Sequence, residues 1–210
     1  MNKRKNAEYL KLDTINATAF NELKANIQFL SVDKPNKVIM ISSAEKNDGR
    51  TTTSSYLSLA FAKSGKKTLL VDCDIRNSNI HNMFDLNNDD SGLVNFLSGD
   101  IKFEESLKAT KQENLSIVTA GGTEANYAEL LVSVKFNEFI EKAKEEFDYI
   151  ILDTSPLTQG ADAQAIAKYA DASVLVIKDG QTERKIAIKA KNILEKANSN
   201  IVGVFLNKTN

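Results

Sequence analysis

The side chains best suited to chemistry in this chain are three aspartates that close apolar runs, Asp72, Asp74 and Asp153, and one polar stretch, SSAEKNDGRTTT, at residues 42–53. Carboxylates are hard oxygen donors, and three of them converging would suit a divalent cation. The polar stretch has the layout of a phosphate-binding loop, because it follows an apolar run directly and opens a segment of helical composition, TTTSSYLSLAFAKSG. In that layout Gly49 lets the backbone approach a ligand closely. The N–H groups and positive dipole end of the following helix favour a phosphate, and the Thr51 hydroxyl can reach Mg²⁺. The match is imperfect. Ala44 replaces the first glycine of such a loop, Asn47 and Asp48 fill a stretch where glycine is usual, and Arg50 stands where the motif carries lysine. Taken alone, the stretch also reads as a strand-to-helix turn with a Ser/Thr cap, and a lone Asp at a strand end reads as a turn residue or helix cap.

Whether these groups meet depends on the elements that carry them. The runs KVIMIS (37–42), KTLLVD (67–72), LSIVTA (115–120), YIILD (149–153), ASVLVIK (172–178) and IVGVFLN (201–207) are continuously apolar rather than alternating. That pattern predicts parallel strands covered on both faces. Between them lie segments of helical period. Phe136, Phe139, Ile140, Ala143 and Phe147 form one stripe, and Ile186, Ala190, Ile193, Leu194 and Ala197 form another. The alternation predicts a doubly wound α/β fold with a mainly parallel sheet and helices on both faces. In such sheets ligands bind at the carboxyl ends of the strands, where residues 43–51 and all three aspartates would lie. Residues 17–31 predict an additional N-terminal helix with Phe20, Leu23, Ile27 and Leu30 on one side. We expect one domain, residues 1–210, made of an N-terminal helical extension (1–34) and a nucleotide-binding core (35–210).

Composition narrows the function classes. A chain of 210 residues with 42% hydrophobic content can bury one substantial core. Its 28 acidic and 27 basic residues nearly cancel, which argues against a general nucleic-acid binder. A single cysteine excludes an intrachain disulfide and fits a reducing cytoplasm. The basic start MNKRKNAEYLKLD has no apolar segment behind it, so it is not expected to be a secretion signal. His81, the one histidine, has no cysteine or histidine partner for a zinc site and predicts a loop or packing role. Cys73, between two aspartates at a strand end, predicts a small buried residue.

Taken together, these motifs resemble the bacterial tyrosine kinases that regulate capsule and exopolysaccharide synthesis, whose wider relatives are the septum-positioning and chromosome-partitioning ATPases. The resemblance runs from about residue 20 to 208. SSAEKNDGRTTT is similar to the Walker A loop, TLLVDCDIR to the family's second acidic motif and FDYIILDTSP to its Walker B. GLVNFLSGD (92–100), AGGTEANYAELLVS (120–133), DAQAIAKYADASVLVIKDGQT (162–182) and GVFLNK (203–208) resemble the stretches between and after them. The partitioning ATPases carry a signature lysine early in the loop, where this chain has Glu45, so the kinase branch fits better. The resemblance implies an ATP-dependent protein-tyrosine kinase using ATP/ADP and Mg²⁺. Nucleotide would be held by Asn47, Asp48, Gly49, Arg50, Thr51 and Thr52, with Asn207 near the base. Thr51, Asp72, Asp74 and Asp153 would hold or orient the metal. Asp72, Asp74 and Arg50 would act in catalysis, with Asp72 accepting the substrate hydroxyl's proton. It also implies a protein tyrosine substrate and a membrane-embedded activator or chain-length regulator of polysaccharide export. The protein would sit in the cytoplasm, recruited to the inner face of the membrane by that partner.

The departures from the family pattern are specific. Arg50 keeps the charge of lysine but presents a planar fork, and the two are not interchangeable at a tight phosphate site. Asn47 would be strained if the loop needs positive φ there, although Asn tolerates this better than most residues. The family's acidic-and-arginine ring motif is replaced by Thr18, Asn21 and Lys24, which predicts a monomer or small oligomer. The last tyrosine is Tyr169, whereas the family ends in a tyrosine cluster. Two readings follow: a working kinase of altered activity, or a nucleotide-holding scaffold that regulates polysaccharide assembly by contact.

Overall fold

In the computed structural model, residues 14–31, 35–122 and 127–207 are described. The basic start MNKRKNAEYLKLD and the residues after Asn207 lie outside them. The uninterrupted apolar runs become strands because a chain apolar on both sides needs cover on both sides. β1 (Val38–Ser43) and β2 (Thr68–Asp72) are buried at every position. β4 (Leu115–Val118), β5 (Tyr149–Asp153) and β6 (Ala172–Lys178) are mostly buried, whereas β7 (Ile201–Asn207), expected to be covered on both faces, is an edge strand with Val204 and Leu206 exposed. They pair in parallel in one seven-stranded sheet of order β3-β4-β2-β5-β1-β6-β7. The exception is β3, the two-residue strand Lys108–Ala109, which runs antiparallel to β4 at one edge.

Helices cover both faces. On one, α4 (Leu93–Ser98), α5 (Phe103–Ser106) and α7 (Val134–Glu146) bury Phe96, Phe103, Phe136 and Phe139, with ring centroids 5.3–6.3 Å apart. On the other, α2 (Arg50–Lys63) lies between the sheet and α1 (Thr14–Phe29). A helix covered on two sides needs no single apolar stripe, which explains why Thr53, Ser54, Ser55 and Ser58 are buried along α2. Ser58 and Ser54 donate to the carbonyls of Ser54 and Arg50, one turn back, at 2.7 and 2.9 Å. α1 is fixed across α2 and β7 by Phe20, which stacks on Tyr56 at 5.1 Å and on Phe205 at 5.2 Å. α8 (Asp162–Ala167) and α9 (Arg184–Lys196) bury Ala163, Ala190 and Leu194 against Met40 and Leu175. Three short helical pieces complete the chain: a 3₁₀ turn at Ile75–Asn77, α3 (Ile80–Phe84) and α6 (Tyr127–Leu130).

Candidate nucleotide-binding site

The sheet order sets the site. β1 is flanked by β5 and β6, and β2 follows beyond β5, so the loop leaving β1 faces the carboxyl ends of several strands at once. Asp72 and Asp153 end adjacent strands and are direct cross-strand neighbours in the register. The Cys73 N–H donates to the Asp153 carbonyl at 2.8 Å, locking those ends together. Residues 44–49 form the loop and α2 begins at Arg50.

The loop's shape follows from its residues. Asn47 takes φ +64° and Gly49 takes φ +98°, both in the left-handed region. Asn47 therefore occupies the conformation for which glycine is the usual choice, and Asn is the substitute that bears it with least strain. A Cβ on Gly49 would collide with Nδ2 of Asn207, the last residue of β7. That amide donates to the Asp48 carbonyl at 2.7 Å, so Asn207 reaches the loop. Asp48 itself is buried. Its Oδ2 accepts the Glu45 N–H at 2.8 Å and its Oδ1 accepts the Thr182 hydroxyl at 2.9 Å.

A polar cavity of about 620 Å³ opens at this loop, lined by Lys46, Asn47, Gly49, Arg50, Thr51 and Thr52 from the loop and α2. Asn207 adds to it from β7, and Asn77, Ser78 and Asn79 from the segment after β2. None of the three aspartates lines the cavity, and all three are buried beside its Arg50 and Thr51. Asp72 is fully buried, and its Oδ2 accepts the Asn79 and Ile80 N–H groups at 3.1 and 3.2 Å. Burial first, and then the Asp153 charge, push its carboxyl up to about 8. Burial also raises Asp153, to about 6, against the lowering pull of Arg50 and hydrogen bonds from Thr51 and Ser54. The Ser54 donor lies 2.9 Å from Asp153 Oδ1. Cys73 is buried between them, its thiol pushed up by burial and by the three carboxylates.

Asp74, expected to hold or orient the metal, is engaged here by a cation of the chain itself. It is buried in an ion pair with the Arg50 guanidinium, leaving Asp74 Oδ1 and Arg50 Nε without hydrogen-bond partners. Among the described residues no group of three His, Cys, Asp or Glu side chains is clustered to hold a metal by itself. The donors that do converge, Thr51, Asp72 and Asp153, are all hard oxygens. They fit Mg²⁺, which typically takes one or two carboxylates together with substrate phosphates and water.

This geometry has known counterparts. A family profile described as an AAA domain matches residues 36–202. Tyrosine-protein kinase YwqD of Bacillus subtilis is 38% identical over 194 residues, covering 92% of this chain and 81% of that protein. The chain belongs to the bacterial tyrosine-kinase family. The kinase domain of Escherichia coli tyrosine kinase ETK superposes with a TM-score of 0.90 at 28% identity, covering 95% of this chain and 79% of that one. The septum site-determining protein MinD of Pyrococcus horikoshii, complexed with Mg-ADP, gives a TM-score of 0.69 at 26% identity over 81% of this chain and 69% of that one. The fold is thus that of the P-loop ATPases and kinases.

Several residues of this family member escaped the sequence reading. Lys46 and the Asn77–Asn79 segment line the cavity, Ser54 holds Asp153, and Thr182 holds Asp48. Only Ser54 had a local signal, since it lies one helical turn after Arg50 and so faces the same strand ends. The positions of the ring motif fall on α1. Thr18 and Asn21 are exposed, while Lys24 turns inward toward the Ala60 carbonyl at 3.5 Å. No helix among the described residues is long and apolar enough to cross a membrane.

Proposed function

We propose that this protein is an ATP-dependent protein-tyrosine kinase acting in capsule or exopolysaccharide synthesis. The observation that carries the reading is the buried Asp72, paired in register with Asp153 on the adjacent strand, beside a loop that holds positive φ at Asn47 and Gly49. The backbone N–H groups of the loop and of the first turn of α2 bind the nucleotide phosphates, and Asn207 borders the base. Thr51, Asp72 and Asp153 would hold Mg²⁺, which would supply charge neutralisation at the phosphate oxygens. Asp72 then orients the tyrosine hydroxyl and takes its proton. The hydroxyl oxygen bonds to the γ-phosphorus, the bond from that phosphorus to the β–γ bridging oxygen breaks, and ADP leaves. The raised value belongs to the metal-free site, and Mg²⁺ beside Asp72 would lower it again and leave the carboxylate able to accept the proton. The remaining work is positioning and charge neutralisation, as phosphoryl transfer requires.

Arg50 sets the level of activity in this reading. Its guanidinium must leave or share Asp74 before it can contact phosphate, which a lysine in the same place would do as a compact point charge. The scaffold alternative rests on the same ion pair, since a permanently engaged Arg50 would leave a site that holds nucleotide without turnover. We further propose one domain over residues 1–210, a cytoplasmic location, a membrane-embedded partner and a monomer or small oligomer. The assembly reading is supported by the uncharged Thr18 and Asn21 on the exposed face of α1. The deciding experiment combines Mg-ADP titration calorimetry with mass-spectrometric detection of phosphotyrosine on a supplied peptide. Binding and transfer together support the kinase. Binding without transfer, also in Asp72-intact Arg50→Lys, supports the scaffold.

A further inference from the structure

Asp48 places a carboxylate inside a loop that has to receive phosphate. Its two neighbours, Asn47 and Gly49, both line the cavity, whereas Asp48 does not and is only 3% exposed. The alternation follows from the backbone. With Asn47 at φ +64° and Gly49 at φ +98°, the chain turns the intervening side chain away from the cavity. Direction alone does not hold a carboxylate there, and the structure shows what does. Oδ2 is bound by the Glu45 N–H within the loop, and Oδ1 by the hydroxyl of Thr182, which lies 134 positions away in sequence. Thr182 is fixed in turn. Its Oγ1 accepts the Lys178 N–H at 3.1 Å and its own N–H donates to the Lys178 carbonyl at 3.0 Å. Because Oγ1 accepts from Lys178, its one proton is directed to Asp48.

We infer that Thr182 is a positioning residue for the phosphate loop, its hydroxyl holding the Asp48 carboxylate away from the phosphates of the bound nucleotide. This rests on the nucleotide reading above and adds to it a contact between the loop after β6 and the loop after β1. Two features make the contact more than packing. A hydrogen bond to a charged acceptor is stronger than a neutral one. A released carboxylate beside a diphosphate is also repelled, so the loss is paid in nucleotide affinity rather than in folding alone. Asn207 braces the same residue from the other side through its carbonyl. Asp48 is thereby bound from β7, from the β6–α9 loop and from within its own loop.

The test uses the full chain, Mg-ADP as probe and titration calorimetry, with thermal melting of the nucleotide-free variants alongside. Thr182→Val, which keeps the shape and removes the hydroxyl, is expected to weaken Mg-ADP binding roughly tenfold. Thr182→Ser is expected to restore it to within about twofold, because the hydroxyl returns. In an Asp48→Asn background the Thr182→Val change is expected to cost less than about twofold, since the repelled charge is gone. A purely structural role for Thr182 would give the same loss in both backgrounds and would overturn the inference. Unchanged binding by Thr182→Val, with the wild type binding normally, would overturn it as well. Should Thr182→Val fail to fold, Asp48→Asn with and without Thr182→Ala decides the same question. A wild type that binds no Mg-ADP would overturn the nucleotide reading and this inference with it.

Discussion

Removing the Arg50 side-chain charge should destabilise the nucleotide-free protein more than removing its ion-pair partner Asp74. Arg50 is 8% exposed and sits among three carboxylates of which none exceeds 2% exposure. It bonds Asp74 directly and lowers Asp153 through space. Breaking a buried pair by deleting one member typically costs about 3–5 kcal/mol, because the other charge stays buried without compensation. Arg50→Met strips compensation from the whole cluster and should lie near the top of that range at pH 8. Asp74→Asn leaves Arg50 still facing Asp153 and should cost about 2 kcal/mol, below the range. At roughly 2–4 °C per kcal/mol for a chain of this size, the arginine variant should melt about 10 °C or more below wild type. Urea unfolding of wild type, both single variants and the double variant at pH 8 gives a coupling energy, expected at about 2 kcal/mol in favour of the pair. Repeating the set near pH 5.5 should shrink the Arg50→Met cost, because carboxylates that have taken up protons no longer need the cation. Additive effects, or a cost for Arg50→Met below about 1 kcal/mol, would refute the reasoning.

Without nucleotide, stability should fall as pH rises from about 5 to about 8. Asp72 and Asp153 keep protons in the folded state that the unfolded chain has released, so their contribution is greatest below the ordinary carboxylate value and is lost through their raised values. Asp89 is lowered to about 2 by Lys108 and Ser91, so its opposite effect falls below that window. Urea midpoints at three pH values check this, and a midpoint that rises from pH 5 to 8 would contradict it. Gly49→Ala should abolish detectable Mg-ADP binding, because its Cβ meets Asn207 and its φ is positive; adding Asn207→Gly removes the collision and leaves about 1 kcal/mol of backbone strain. Arg50→Lys should raise phosphotransfer to a supplied tyrosine peptide severalfold, with Asn47→Gly adding to it by freeing the loop of its strained asparagine. Peptide phosphorylation followed by mass spectrometry reads this, and an inactive double variant would favour the scaffold.

How much of this was legible in the sequence depends on how local each determinant is. The six parallel strands were, since a strand buried on both faces leaves a continuous apolar run, although β7 has such a run and yet exposes Val204 and Leu206 at the sheet edge. β3 was not, because Lys108 and Ala109 carry no such run and pair only as an antiparallel margin to β4. The α1 bounds shifted from 17–31 to Thr14–Phe29, a change at the ends where helix signals are weakest. In the site, Gly49, Thr51, Asp72 and Asp153 were readable because each belongs to a short motif with fixed spacing from its own strand. The contacts that give those motifs their state were not readable. Arg50 finds Asp74 across 24 positions, Ser54 finds Asp153 across 99, and Asp48 finds Asn207 across 159. Such pairs arise from sheet order, which places β5 between β1 and β2 and brings β6 and β7 to the far side of β1. The arginine in place of lysine was visible at once, but its consequence was not. Only the fold shows that the guanidinium has a buried carboxylate to hold, and that the exchange therefore changes the resting state of the site as well as its grip on phosphate.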